Sequence, residues 1–212
     1  MKKKGIKLIH IFEFEWEEKQ EICKSLISSA LNLYKYTYDV KQCTIKLVNK
    51  NISNDFLLKN HIPGSTESIY QLGLLYNDEL IQLICINYSK TQNKYELVRI
   101  CTKLYSNVIN GFNALIDYQP FEYLIHYLDR SKFFIEKFLN NKFIVTKYTK
   151  PKYMYWKHDI GLITQDQLTK PYVTKLLGKD KYLTQFNINE NMIINSFYQL
   201  FDCGDIEMEY RK

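Results

Sequence analysis

Arg99 and Asp129 are the charged residues whose surroundings are best suited to chemistry. Tyr95-Glu96-Leu97-Val98-Arg99-Ile100-Cys101 mixes apolar and charged residues, as a central strand ending in a site does. Tyr123-Leu124-Ile125-His126-Tyr127-Leu128 is a short aromatic and β-branched run that reads as a second strand, with Asp129 at its end. Between them Ser106-Asn107 turns the chain, and Val108, Ile109, Phe112, Leu115 and Ile116 recur at helical spacing as far as Pro120. Ligands of open mixed sheets bind beyond the carboxyl ends of strands. A helix N-terminus adds free N–H groups and the positive end of a dipole. Arg99, Asp129 and the Asn107–Gly111 turn are therefore placed to hold an anion. An ordinary strand–helix–strand unit closed by an Arg–Asp salt bridge fits the same pattern.

His61 is the next candidate. It follows a short helix containing Phe56, Leu57 and Leu58 and precedes Pro63-Gly64. As a base or a DNA contact it would be functional; as a buried or capping histidine it would be structural.

The third candidate is a charge run. The chain carries a net charge of +6, and residues 142–181, with nine lysines and three aspartates, hold a surplus equal to it. Lys147, Lys150, Lys152 and Lys157 suit phosphate contacts, and Tyr153 and Trp156 among them suit base stacking. A solvated lysine-rich surface has the same composition.

Composition bounds the rest. With 212 residues, 46% hydrophobic and 25% charged, the chain can build a real core. No apolar run approaches the roughly 20 residues of a membrane span, and no apolar region follows the basic start, so no signal peptide is expected. The five cysteines are scattered without a CxxC pair. No metal site and no disulfide framework are expected, and reduced thiols point to the cytoplasm.

The elements that must position these residues read as follows. A strand is expected over 7–12 and a helix over about 17–34. Residues 37–41 read as a connector and 43–48 as a strand, and a short helix capped by Ser53 or Asn54 ends before Pro63. Strands at 70–76 and 80–87 flank Asn77-Asp78, a hairpin turn. The Tyr95–Cys101 strand follows antiparallel, and the helical crossover then leads to a parallel neighbour at 123–128. Further on, helices are expected at 131–140, 164–177 (despite Pro171) and 189–195, with strands at 143–146, 153–156, 198–203 and 206–210. The class is α+β, a mixed and mostly antiparallel sheet flanked by helices.

Several blocks, in order, resemble phage-type homing-endonuclease-like proteins related to very-short-patch-repair nucleases. They are Leu8-Ile-His-Ile-Phe-Glu-Phe-Glu-Trp16, Phe56-Leu57 with His61-Ile62-Pro63-Gly64, Gly73-Leu74-Leu75-Tyr76, Tyr95 to Arg99, Tyr127-Leu128-Asp129-Arg130, Lys150-Pro151-Lys152-Tyr153 and Phe201-Asp202-Cys203-Gly204. In that family a metal-binding nuclease core precedes the first block, so the chain resembles the C-terminal part. Phe14 stands where the family has Asp, which leaves Glu13 without a second carboxylate for magnesium.

From Cys43 onward the chain resembles the GNAT acetyltransferase fold and the Mom-like DNA-modifying proteins that share it. The resemblance implies residues 1–36 as a remnant strand–helix extension of a nuclease-type domain, and 37–212 as a GNAT-like domain with a basic extension at 142–181. It implies His61, Arg99 and Asp129 as catalytic positions, and Asn110, Gly111 and Asn113 as the turn that would hold a cofactor pyrophosphate. Here that turn carries Phe112 where related sequences have small residues, and Phe138 stands where a tyrosine is expected.

Two functions follow as expectations, with a third reading behind them as a protein-interaction or anti-defence factor that binds a protein partner. The first is a nucleic-acid-binding protein without nuclease core or cofactor, taking DNA, with RNA as the other choice. The alternative is an acyltransferase or Mom-like DNA-modifying enzyme using acetyl-CoA or a CoA-like donor.

Overall fold

The computed structural model describes residues 8–133 and 135–212. They fall into two compact units, one of residues 8–133 and 135–148 with 206–212 and one of residues 149–205.

The first unit is built on a seven-stranded sheet among the described residues. Its strands are β2 (Thr44–Leu47), β3 (Tyr70–Tyr76), β4 (Glu79–Ser89), β5 (Lys94–Thr102), β7 (Tyr123–Asp129), β12 (Asp205–Arg211) and β8 (Phe143–Tyr148), in that spatial order. The pairs from β2 to β5 are antiparallel, as is β12 with β8. The β3–β4 hairpin turns on Asn77 and Asp78, both at positive φ, as a two-residue turn matched to strand twist requires. β5 and β7 are parallel, registered at Glu96 opposite Ile125, and α4 (Gly111–Tyr118) makes the crossover. The class expected from sequence, mixed and mostly antiparallel with flanking helices, is the one found.

Both faces of the sheet are covered. Leu72, Leu74, Ile84, Ile86 and Leu97 pack with Phe112, Leu115 and Ile116 of α4. On the opposite face Leu83, Cys85 and Cys101 pack with Phe56 and Leu57 of α3 (Lys50–Asn60). Period-two alternation along β4 feeds both layers. A bulge interrupts the β4–β5 register: Cys85 faces Arg99 but Ile86 faces Leu97, so Val98 is the extra residue.

The second unit has a three-stranded sheet, β10 (Gly161–Thr164), β9 (Tyr153–Lys157) and β11 (Tyr198–Phe201), with β9 central and both pairs antiparallel. Tyr155 and Ile163 bury one face against Val173 of α6 (Lys170–Leu177), Met192 of α7 (Ile188–Ile194), Tyr182 and Phe197. Asn191 is fully buried and ties this layer together. Its Oδ1 accepts from Leu183 N at 2.7 Å, and its Nδ2 donates to the carbonyls of Leu183, Phe186 and Asn187.

Several expected elements differ. Leu8–Phe12 forms no strand among the described residues; its backbone bond is His10 N to Ser131 O, and Lys7 lies outside them. The helix expected over 17–34 is α1 (Glu13–Glu18) and α2 (Gln20–Ala30), broken at Lys19, whose φ of −135° is not helical. The supposed connector at 37–41 contains β1 (Tyr36–Asp39), parallel to β6 (Ser106–Ile109). The 106–107 turn is therefore strand, and the turn falls at Leu104 and Tyr105. Asn49, not Ser53 or Asn54, caps α3 through a bond from Ile52 N. The helix at 131–140 shrinks to α5 (Glu136–Leu139). Pro171 breaks nothing, because it lies in the first turn of α6, where its missing N–H is not needed.

Candidate functional site

Arg99 lies on β5 and Asp129 at the end of β7, neighbouring parallel strands running to the same sheet edge. They do not pair. Arg99 Nη1 donates to Val98 O at 2.8 Å, and Nε donates to Gly64 O at 3.4 Å. Asp129 turns to its own chain instead: Oδ1 accepts from Ser131 N at 2.7 Å, and Oδ2 lies 3.6 Å from Lys132 Nζ. The expected Arg–Asp bridge is thus replaced by a local Asx-type turn. Lys132 is itself only 5% exposed and pairs with buried Glu15 at 3.1 Å, which anchors α1 beside the end of β7.

His61 reaches the same corner. It caps the C-terminus of α3, and its ring lies 6.4 Å from Phe133, nearly parallel to it. Its Nδ1 is enclosed without a hydrogen-bond partner. Burial, reinforced by the charges of Arg99 and Lys19, pulls its pKa down from 6.5 to about 3. Glu96, one turn of pleat before Arg99, is pushed up by burial. Glu96 and Lys19 belong to this corner and escaped the sequence reading, because only the fold brings residue 19 beside residue 62. The bond is Lys19 Nζ to Ile62 O, 2.6 Å.

The turn expected to hold a pyrophosphate begins with Asn110 in the left-handed region, at φ 57°, exposed and making no side-chain cap. Asn113 is exposed, but Gly111 is buried. A Cβ on Gly111 would run into Gln82 Oε1 and come within 2.6 Å of Val108 Cγ1. The glycine therefore makes room for the chain's own Gln82 and Val108, not for a ligand. Gln82 is almost fully buried, and its partnerless Oε1 faces the start of α4. Phe112 is 1% exposed, meets Phe138 edge-on and stacks with Phe143 in the core. These residues do not fit a cofactor pyrophosphate at this turn. Next to it, His126 Nδ1 donates to Leu97 O at 2.7 Å across the β5–β7 pair, and burial lowers its pKa from 6.5 to about 4.

The lysine stretch divides between the units. Lys147, exposed on β8, belongs to the first and lies opposite Glu207. In the second, Lys150 is exposed. Lys152 lies 3.6 Å from Asp205, its backbone N–H held by Asp202. Lys157 Nζ donates to Asn195 O at 3.0 Å and sits over Phe197. Folding thus adds Glu190, Asp202 and Asp205 to the lysines of this unit, and the surplus read along the chain is smaller in space. Tyr153 packs edge-on against Tyr155 towards the core.

Trp156 points to the other face of the small sheet. The register sets it beside Leu162 and Tyr198, and sets Met154 beside Thr164 and Leu200. This face carries no core residue of the unit; Tyr198 is 66% exposed and Leu162 38%, with the Trp156 and Tyr198 rings 6.1 Å apart. Lys150, Lys170, Lys175, Lys179 and Lys181 are exposed and form no ion pair among the described residues. Tyr198 was visible only as part of a strand; its place beside Trp156 depends on pairing residues more than forty apart.

Among the described residues no three His, Cys, Asp or Glu side chains are grouped to hold a metal ion, and no helix is long and apolar enough to cross a membrane. No family model and no curated protein matches the chain. Among solved structures the chain is similar to a GNAT-family acetyltransferase from Bacillus cereus ATCC 10987, at 8% identity over 80% of this chain and 97% of that one, with a TM-score of 0.42. It is also similar to a Bacillus subtilis acetyltransferase in complex with CoA, at 10% identity over 80% and 99%, with a TM-score of 0.45.

Proposed function

We propose that this protein binds single-stranded nucleic acid, DNA first and RNA second, through the aromatic face of the small sheet in its second unit. The observation that carries the reading is the Trp156–Tyr198 pair on the face of β9 and β11 turned away from the unit's core. Every base has a π-face, so aromatic rings on a sheet stack bases with little regard to sequence. Lys150, Lys170, Lys175, Lys179 and Lys181 supply phosphate contacts, while Lys152 and Lys157 stiffen the unit from within. The ordered blocks that resemble homing-endonuclease-like proteins favour an origin beside a DNA-acting enzyme. A cytoplasmic location accords with five free cysteines.

The acyltransferase alternative has less support, because Gln82 and Val108 crowd Gly111 at the turn. The test is fluorescence anisotropy with labelled single-stranded 20-mers across a salt series. With about four phosphates engaged, log affinity should fall with log salt at a slope near −3. Affinity indifferent to salt, or no binding at about 50 mM salt, would overturn the reading.

A further inference from the structure

The 61–64 turn of the first unit is held by two cations, on the carbonyls of Ile62 and Gly64. Lys19 Nζ donates to Ile62 O at 2.6 Å, and Arg99 Nε donates to Gly64 O at 3.4 Å. Gly64 N in turn donates to His61 O at 3.0 Å, so the histidine belongs to the same turn. Neither cation has a carboxylate within 4.0 Å among the described residues. The guanidinium of Arg99 is half-buried and spends Nη1 and Nε on carbonyls, while Nη2 makes no hydrogen bond among the described residues. Enclosed charges are ordinarily matched by an opposite charge. The carboxylate nearest in influence is Glu96, whose pKa burial raises and Arg99 lowers, and it makes no ion pair with the guanidinium within 4.0 Å; buried Cys85 is the other neighbour. Beside them His61 Nδ1 is enclosed and partnerless.

We propose that Arg99, Lys19 and His61 form a binding site for a small oxyanion, a carboxylate or a phosphate group on a small molecule. The planar guanidinium matches either group. Lys19 supplies a point charge, and Phe133 fixes the His61 ring from its outer side. An anion here would cancel the positive field that Arg99 and Lys19 exert on His61. The imidazole would then hold a proton more easily, and Nδ1 would become a donor to the ligand. The site is independent of the aromatic face in the second unit.

The experiment is NMR of the full chain, following the His61 ring and the Arg99 side chain during titration with inorganic phosphate and, separately, with acetate. Saturable shifts at both groups are expected, with dissociation constants in the millimolar range or below. The His61 titration midpoint should rise by about one unit or more when the site is filled. Arg99→Gln should weaken binding by about tenfold or more, and Lys19→Gln by a few-fold. Lys46→Gln, on β2 and paired with Asp78 of the remote β3–β4 hairpin, should change nothing. Saturation by phosphate alone assigns a phosphate-bearing ligand, and by acetate alone a carboxylate. No saturable shift with either anion up to about 50 mM would overturn the proposal. So would binding that survives both Arg99→Gln and Lys19→Gln; the lysine variant serves if the arginine variant fails to fold.

Discussion

The two units solve the same problem with different means. The first covers both faces of a seven-stranded sheet, and Arg99 and Glu96 of β5 and His61 at the end of α3 are left half-buried. The second covers one face of three strands and leaves Trp156, Leu162 and Tyr198 on the other. Its small core is completed by hydrogen bonds to Asn191 instead of further apolar layers. A large sheet concentrates chemistry in a corner; a small one exposes a surface. The proposed small-molecule site therefore lies in the first unit and the proposed strand-binding face in the second.

The largest expected effect lies in the first core. Phe112→Ala empties a site packed by Phe138 and Phe143 and should cost about 3–5 kcal/mol. Hydrogen exchange should show the loss in β4, β5 and α4. Protection lost chiefly in residues 149–205 would break the division. The reverse experiment is Asn191→Ala, which takes one hydrogen-bond partner from a backbone N–H and three carbonyls in a buried layer. Leu183 O and Asn187 O keep backbone partners, so the cost rests on Leu183 N and Phe186 O; it should be about 1–3 kcal/mol, with exchange rising in α7 and the 182–187 segment. An unaltered urea midpoint would mean the unit is held by something else.

Acid sharpens the contrast further, because two enclosed histidines, His61 and His126, lie in the first unit. Their pKa values fall from 6.5 to about 3 and about 4 in the folded protein. The unfolded chain therefore binds more protons below pH 6.5, and stability present above 6.5 is lost progressively down to pH 3–4. His126→Gln should flatten this decline in urea unfolding series between pH 6.5 and 4. An equally steep decline in the variant would contradict its enclosure. The smallest expected effect is none: calorimetry with acetyl-CoA or CoA at about 1 mM should give no binding heat, since Gly111 is filled by Gln82 and Val108. Micromolar binding abolished by Gly111→Asp would restore the acyltransferase reading.

What the sequence revealed was local. Asn77-Asp78 announces its hairpin because both residues accept positive φ cheaply. The order of strands, helix and strand around Arg99 and Asp129 follows from crossover geometry. Hidden features depended on distant pairing. Tyr36–Asp39 looks polar and becomes a strand only because Ser106–Ile109 lies beside it, which also shortens the helix that Val108 and Ile109 seemed to begin. The Arg99–Asp129 bridge failed because Lys132 and Ser131 reach Asp129 first along the chain. The charge surplus at 142–181 was overstated because Asp202 and Asp205 return to Lys152 only after β11 has folded back.

The most direct test of strand binding is the double variant Trp156→Ala, Tyr198→Ala, assayed by anisotropy against a labelled single strand and a duplex of the same sequence. Circular dichroism should confirm an unchanged fold. Losing one or two stacked bases at about 1–3 kcal/mol each should weaken single-strand binding by tenfold or more, while residual lysine contacts keep duplex binding weak and nearly unchanged. Single-strand affinity equal to that of the unaltered protein would contradict the account.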